Sequence, residues 1–103
     1  MEQRRVVFQL GVTYQTTLKQ LKEIPGIIKN IIENTSDTVF DRAHFFSYGD
    51  FSLNIETVYY IMSRDYKKYM DTQQEINFAI KQEFEKRGIE FAYPTQTLFL
   101  SKT

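Results

Sequence analysis

The sequence predicts an α+β sandwich in which two helices cover one face of a four-stranded antiparallel sheet, and three observations carry that reading. Apolar and polar residues alternate from Arg4 to Tyr14. Two later stretches repeat their apolar residues at helical spacing. Between them lie two β-prone runs joined by Gly49-Asp50, a pair suited to a tight hairpin turn.

The first strand, Arg4 to Tyr14, places Val6, Phe8, Leu10 and Val12 on one side and Arg5, Val7, Gln9 and Gly11 on the other. Period two over that length means a half-buried strand. Thr16 or Thr17 can cap the helix that follows, whose apolar positions are Leu18, Leu21, Ile24, Ile28, Ile31 and Ile32. Pro25-Gly26 interrupts it. Proline lacks the amide hydrogen and crowds the preceding turn, so a kink or restart is expected near Ile24.

A loop around Asn34 to Thr38 leads to the second strand, Val39 to Tyr48. Phe51 to Met62 returns antiparallel, with Leu53, Ile55, Tyr59 and Ile61 facing inward. Asp65 opens the second helix, which runs to about Arg87 with a core stripe of Tyr69, Ile76, Ala79, Ile80 and Phe84. Lys81, Lys86 and Arg87 suit the negative end of the helix dipole, and Gly88 suits the left-handed cap. A short strand, Ile89 to Phe91, completes the order βαββαβ, that of the ferredoxin-like sandwich. Residues 1–94 make up that domain. Pro94 then breaks the chain, and residues 95–103 carry an extra C-terminal strand, Gln96, Thr97, Leu98, Phe99 and Leu100, that the sandwich does not need.

The chain has 103 residues, enough for one domain with a core and too few for two. Thirteen basic residues cancel thirteen acidic ones, which leaves no electrostatic footprint for nucleic acid or anionic lipid. Without cysteine there is no disulfide, thiol catalysis or cysteine-ligated zinc. No apolar run approaches the roughly 20 residues a membrane helix needs, so direct membrane insertion by these residues is not expected. The charged start, Met1 to Arg5, has no signal-type stretch behind it, and Asn34-Thr35-Ser36 is read as a helix end.

Asp41, His44 and Ser47 suggest a hydrolytic triad at first sight. Positions 41 and 44 have opposite parity on a strand, so base and carboxylate should face apart, and no catalytic role is expected. Asp37 and Asp41 read better as loop and strand-edge residues than as a catalytic pair. A lone histidine makes no metal site, and glycines at 11, 26, 49 and 88 are too scattered to cradle a phosphate, so no cofactor is expected.

By parity the outward face of the sheet carries His44, Phe46 and Tyr48 on the second strand and Glu56, Val58, Tyr60 and Met62 on the third. An apolar patch on an open sheet points to a partner. RNA stacked on sheet aromatics is one such partner, but the first strand offers Val7 and Gln9 there and no basic surplus supports it, so protein contact is preferred. Cover by the terminal segment is the blander alternative. Phe78 falls opposite the core stripe, as an isolated exposed residue or as a contact to a neighbouring subunit, and lysines 67, 68 and 81 read as a solvated face.

Three stretches resemble the C-terminal cytoplasmic domain of bacterial small-conductance mechanosensitive channels. Arg4-Arg5-Val6-Val7-Phe8-Gln9-Leu10-Gly11-Val12-Thr13-Tyr14 is similar to the strand leaving that family's middle β domain. Gly49-Asp50-Phe51-Ser52-Leu53-Asn54 is similar to its glycine-serine hairpin, with Phe51 where a small residue is usual. Gly88-Ile89-Glu90-Phe91-Ala92-Tyr93-Pro94 is the most specific of the three. The resemblance implies one part of a longer chain whose transmembrane helices and β domain lie elsewhere. It also implies a hollow cytoplasmic cage built from copies of the domain, usually seven, through whose side openings ions and solutes reach the pore. The strand after the proline, here Gln96 to Leu100, would join its counterparts in a small barrel. A different reading of the same residues is a regulatory module that binds a small molecule and dimerises through its sheet, keeping Gln96 to Leu100 as an edge of its own.

Overall fold

The computed structural model describes residues 3–92. Within them β1 (Arg4–Val12), α1 (Leu18–Glu33), β2 (Thr38–Tyr48), β3 (Leu53–Ile61) and α2 (Tyr66–Arg87) follow one another. The strands form a three-stranded antiparallel sheet in the order β1-β3-β2. In place of the expected fourth strand there is, among the described residues, a single antiparallel bridge between Val12 and Phe91. Ile89 closes the end of α2, donating its amide to the Phe84 carbonyl at 2.8 Å, so only the residues after it are left to pair with β1.

The register assigns each strand residue to a face, because residues directly opposite one another share a side. The helix-covered side holds the rows Phe40–Tyr59–Val6, Ala43–Thr57–Phe8, Phe45–Ile55–Leu10 and Tyr48–Leu53–Val12. The open side holds Val39–Tyr60–Arg5, Arg42–Val58–Val7, His44–Glu56–Gln9 and Ser47–Asn54–Gly11. Register shifts between Phe40 and Arg42 and between Phe45 and Ser47 leave one extra β2 residue in each gap. Each extra residue reverses the alternation, so β2 keeps simple parity only from Arg42 to Phe45.

Thr17 caps α1 in a reciprocal box: its hydroxyl accepts from the Gln20 amide at 3.1 Å, and the Gln20 side-chain oxygen accepts from the Thr17 amide at 2.9 Å. The helix does not restart at Pro25 but runs through it to Glu33. Ile24, Ile27 and Ile28 are all buried on either side of the proline, and that burial holds both halves on the sheet against a penalty of about 3 kcal/mol. Leu18, expected in the stripe, is 67% exposed in the first turn, and Ile27, which the stripe omitted, is buried.

Asp65 caps α2 by accepting from the Lys67 amide at 3.2 Å. Gly88 ends it at φ 75° and ψ 22°, the left-handed conformation expected for it. The buried stripe is Thr72, Ile76, Ile80 and Phe84, while Tyr69 packs against the core at its edge. Phe78 is 66% exposed, opposite that stripe as expected.

Tyr59 is the largest fully buried side chain. Its ring meets Phe8 edge-on at 6.1 Å, and its hydroxyl donates to the Gln73 side-chain oxygen at 2.5 Å. Burial, and to a lesser degree the neighbouring Tyr69, pushes its ionisation well above the ordinary tyrosine value of 10.0. The unfolded chain therefore loses this proton first. The neutral phenol's contribution is complete below pH 10 and is lost as pH climbs from there toward the raised folded value, by at most about 1.4 kcal/mol per unit. Denaturation of wild type and Tyr59→Phe at pH 7 and pH 11 checks this. At pH 7 the variant is expected to be less stable by about 1 kcal/mol through the lost hydrogen bond. The gap should narrow at pH 11, and a gap that stays constant contradicts the reading.

Candidate interaction surfaces

The residues weighed for chemistry in the sequence, Asp37, Asp41, His44 and Ser47, lie as follows. Asp41, in the first register gap, binds Arg42 at 2.9 Å, and the Ser47 hydroxyl accepts from the Asn54 side chain at 3.1 Å. His44 lies on the open side opposite Glu56. Asp37, in the turn before β2, has φ 62° and pairs with Lys68 at 3.0 Å. Among the described residues no group of three or more His, Asp or Glu side chains stands where a metal ion could be held.

The open sheet face carries His44, Val58, Tyr60 and Val7 where parity put them, and adds Val39, which parity had turned to the other side. Val58 is 1% exposed although no helix covers it, because Val7 and Arg42 flank it in its row. Two residues assigned to this face by parity are corrected. Phe46 is the extra residue of the second gap and has no partner on β3. Tyr48 falls in the helix-side row with Leu53, where it is 74% exposed at the end of the strand and meets Phe45 edge-on at 5.1 Å. The second gap reverses its side. The open face thus carries Val7, Val39, Val58 and Tyr60 edged by Arg5 and Arg42 at one end, and is polar at the hairpin end, where Asn54 bonds to both Ser47 and Ser52.

The hairpin closes with the Gly49 amide donating to the Ser52 carbonyl at 2.6 Å, and the Tyr14 hydroxyl donates to the Gly49 carbonyl. A Cβ on Gly49 would lie 2.9 Å from the Asn54 side-chain nitrogen, so this turn tolerates glycine because of space.

The helix side is electrostatically neutralised. Lys67 pairs with Asp71, Lys81 with Glu85, and Arg87 with both Glu83 and Glu23. An open groove of about 690 Å³ between the helices mixes Lys22, Lys86 and Arg87 with Glu23 and Glu83, so it favours neither sign of ion. No helix among the described residues is long and apolar enough to cross a membrane.

The third surface is where the chain leaves the sheet. The Thr13 amide donates to the Glu90 carbonyl and the Ala92 amide to the Gly11 carbonyl, both at 3.0 Å, and Phe91 stacks on Phe84 at 5.1 Å. Pro94 and the run Gln96 to Leu100 lie outside the described residues.

This fold defines an α+β module of two helices and a three-stranded antiparallel sheet. Residues 6–91 match the family model described as mechanosensitive ion channel MscS, C-terminal, and the chain belongs to that family. It is 43% identical over 102 residues to the small-conductance mechanosensitive channel MscMJ of Methanocaldococcus jannaschii, covering 98% of this chain and 29% of the relative. It is 42% identical over 104 residues to the large-conductance channel MscMJLR of the same organism, covering 95% of this chain and 28% of the relative. The chain therefore spans less than a third of either channel. The fold is also similar to part of Arabidopsis thaliana MSL1 A320V, seen by cryo-EM, with TM-score 0.74 and 16% identity over 91% of this chain and 36% of that one.

Proposed function

We propose that this domain is an assembly module of a mechanosensitive channel, lying on the cytoplasmic side of the membrane and building a hollow vestibule with copies of itself, seven in the full channel. It performs no catalysis. Its work is to hold subunits together and to sieve the ions and solutes that approach the pore, while the transmembrane helices and β domain of the same longer chain conduct and sense tension. The open sheet face, with Val7, Val39 and Tyr60, is one partner surface, and Gln96 to Leu100 is the other.

One observation carries this reading: the backbone bonds of Glu90 and Ala92 deliver the chain to the outer edge of β1, where the sheet is otherwise complete, with a β-prone run still to come. The same bridge supports the four-stranded ferredoxin-like arrangement, since a strand grown from it would flank β1 on the side away from β3. Light scattering on the purified domain across a concentration series, with and without residues 95–103, tests the assembly reading. Association that rises with concentration and vanishes on truncation is expected. A dimer indifferent to the truncation would replace the vestibule with the sheet-paired regulatory module.

A further inference from the structure

The alternation of β1 turns one charge inward. Arg4 lies opposite Ile61, and the row Thr38–Ile61–Arg4 falls on the helix-covered side, in phase with Val6, Phe8 and Leu10. There the guanidinium carbon stands 5.0 Å from the centroid of the Tyr69 ring and 5.9 Å from that of Tyr66. The two rings sit about one turn apart on α2, 5.8 Å from each other. A terminal nitrogen of Arg4 donates to the Arg64 carbonyl at 3.4 Å, one residue before the Asp65 cap. The buried Nε finds no hydrogen-bond partner among the described residues, so two ring faces and one carbonyl are what hold the charge.

We propose that Arg4 is a latch between the entry of the chain and the start of α2: it holds the first turn of the helix on the sheet, and withdrawing it frees that turn. The turn has little burial of its own. Thr72 is the first fully buried residue of α2, and before it Tyr69 packs only at the edge of the core while Lys68 pairs with Asp37 at 3.0 Å. Attraction between a cation and a ring reaches about 6 Å from the centroid, so Tyr66 stands at the limit of reach and Tyr69 well within it. A small lift of the chain before β1, enough to fray the Arg4–Ile61 pair, therefore releases Tyr66 first and Tyr69 after it. The latch thus reports the position of the entering strand to one end of a helix. It goes beyond the assembly reading and needs no second copy of the chain.

Amide hydrogen exchange on this chain tests the latch. The Met70 amide reads the first turn of α2, Ile80 the stability of the whole domain, and Arg4 and Val6 the entry. In Arg4→Leu, which keeps apolar bulk without the charge, Met70 is expected to exchange roughly three- to tenfold faster while Ile80 stays constant. Coupling is reciprocal, so loosening the ring side must loosen the strand. Tyr69→Leu should speed the Arg4 and Val6 amides relative to Ile80, and Tyr69→Phe, which keeps a ring, should not. Those two amides turn toward β3, because Gly11 and Thr13 bond outward to the exit. An unchanged Met70 rate in Arg4→Leu overturns the proposal, as does a rise that Ile80 shares in full. Unchanged Arg4 and Val6 amides in Tyr69→Leu overturn it too, since Arg4 would then prop the helix without linking it to the entry.

Discussion

Replacing Phe84 by alanine is expected to cost about 3–5 kcal/mol of stability and to loosen the exit of the chain from β1. Phe84 is fully buried, stacks on Phe91 with an interplanar angle of 18°, and belongs to the core that Ile76 and Ile80 share. Of Phe84 the cap at Gly88 uses only the backbone carbonyl, which the change leaves in place, so the loss comes from the emptied volume and the unsupported Phe91 ring. A domain of this size has about 5–15 kcal/mol in hand, so the variant sits near its limit. Urea denaturation gives the loss, and exchange at the Thr13 and Ala92 amides reports the exit. A loss below about 1.5 kcal/mol would mean that the neighbours close over the site.

Gly11→Val is expected to cost about 3 kcal/mol, through crowding in place of a void. A Cβ at position 11 would stand 2.8 Å from the Ser52 Cβ and 3.0 Å from its hydroxyl oxygen. Ser52 cannot swing away cheaply, because it donates to the Asn54 side chain at 2.6 Å and its carbonyl accepts from Gly49. The damage therefore reaches the hairpin and also the Gly11 carbonyl that receives Ala92. Thermal unfolding of Gly11→Val alone and combined with Ser52→Gly checks the cause. Partial recovery in the double variant is expected, and no recovery would place the strain elsewhere.

Much of the fold was legible because its signals are local. Asp65 and Gly88 bound α2 where cap chemistry placed them, and the β1 alternation gave its buried side correctly. What escaped were features set by comparison between strands. β2 has eleven residues where β3 has nine, and the surplus is taken up in two register gaps. No residue type announces such a gap, so a uniform parity carried Phe46 and Tyr48 to the wrong place and left Val39 out of the open face. Pro25 misled for the opposite reason: its local signal is strong, but the buried isoleucines around it override it. The open face was accordingly read in part, with His44, Val58 and Tyr60 brought together. The run Gln96 to Leu100 was legible only as surplus to the sandwich, and it lies outside the described residues.

The two ends of the described chain are fastened in unlike ways. β1 is held to β3 along its whole length, from Arg4 opposite Ile61 to Val12 opposite Leu53, by bonds that lie across the strand. A pull along β1 from its start would load that ladder in shear, with every bond sharing the force. The exit is fastened to β1 by the bonds of Thr13 and Ala92 and by one stacked ring. A pull there would peel those fastenings in turn, so under load the domain should yield first at its exit, as a weak link in series with a strong one.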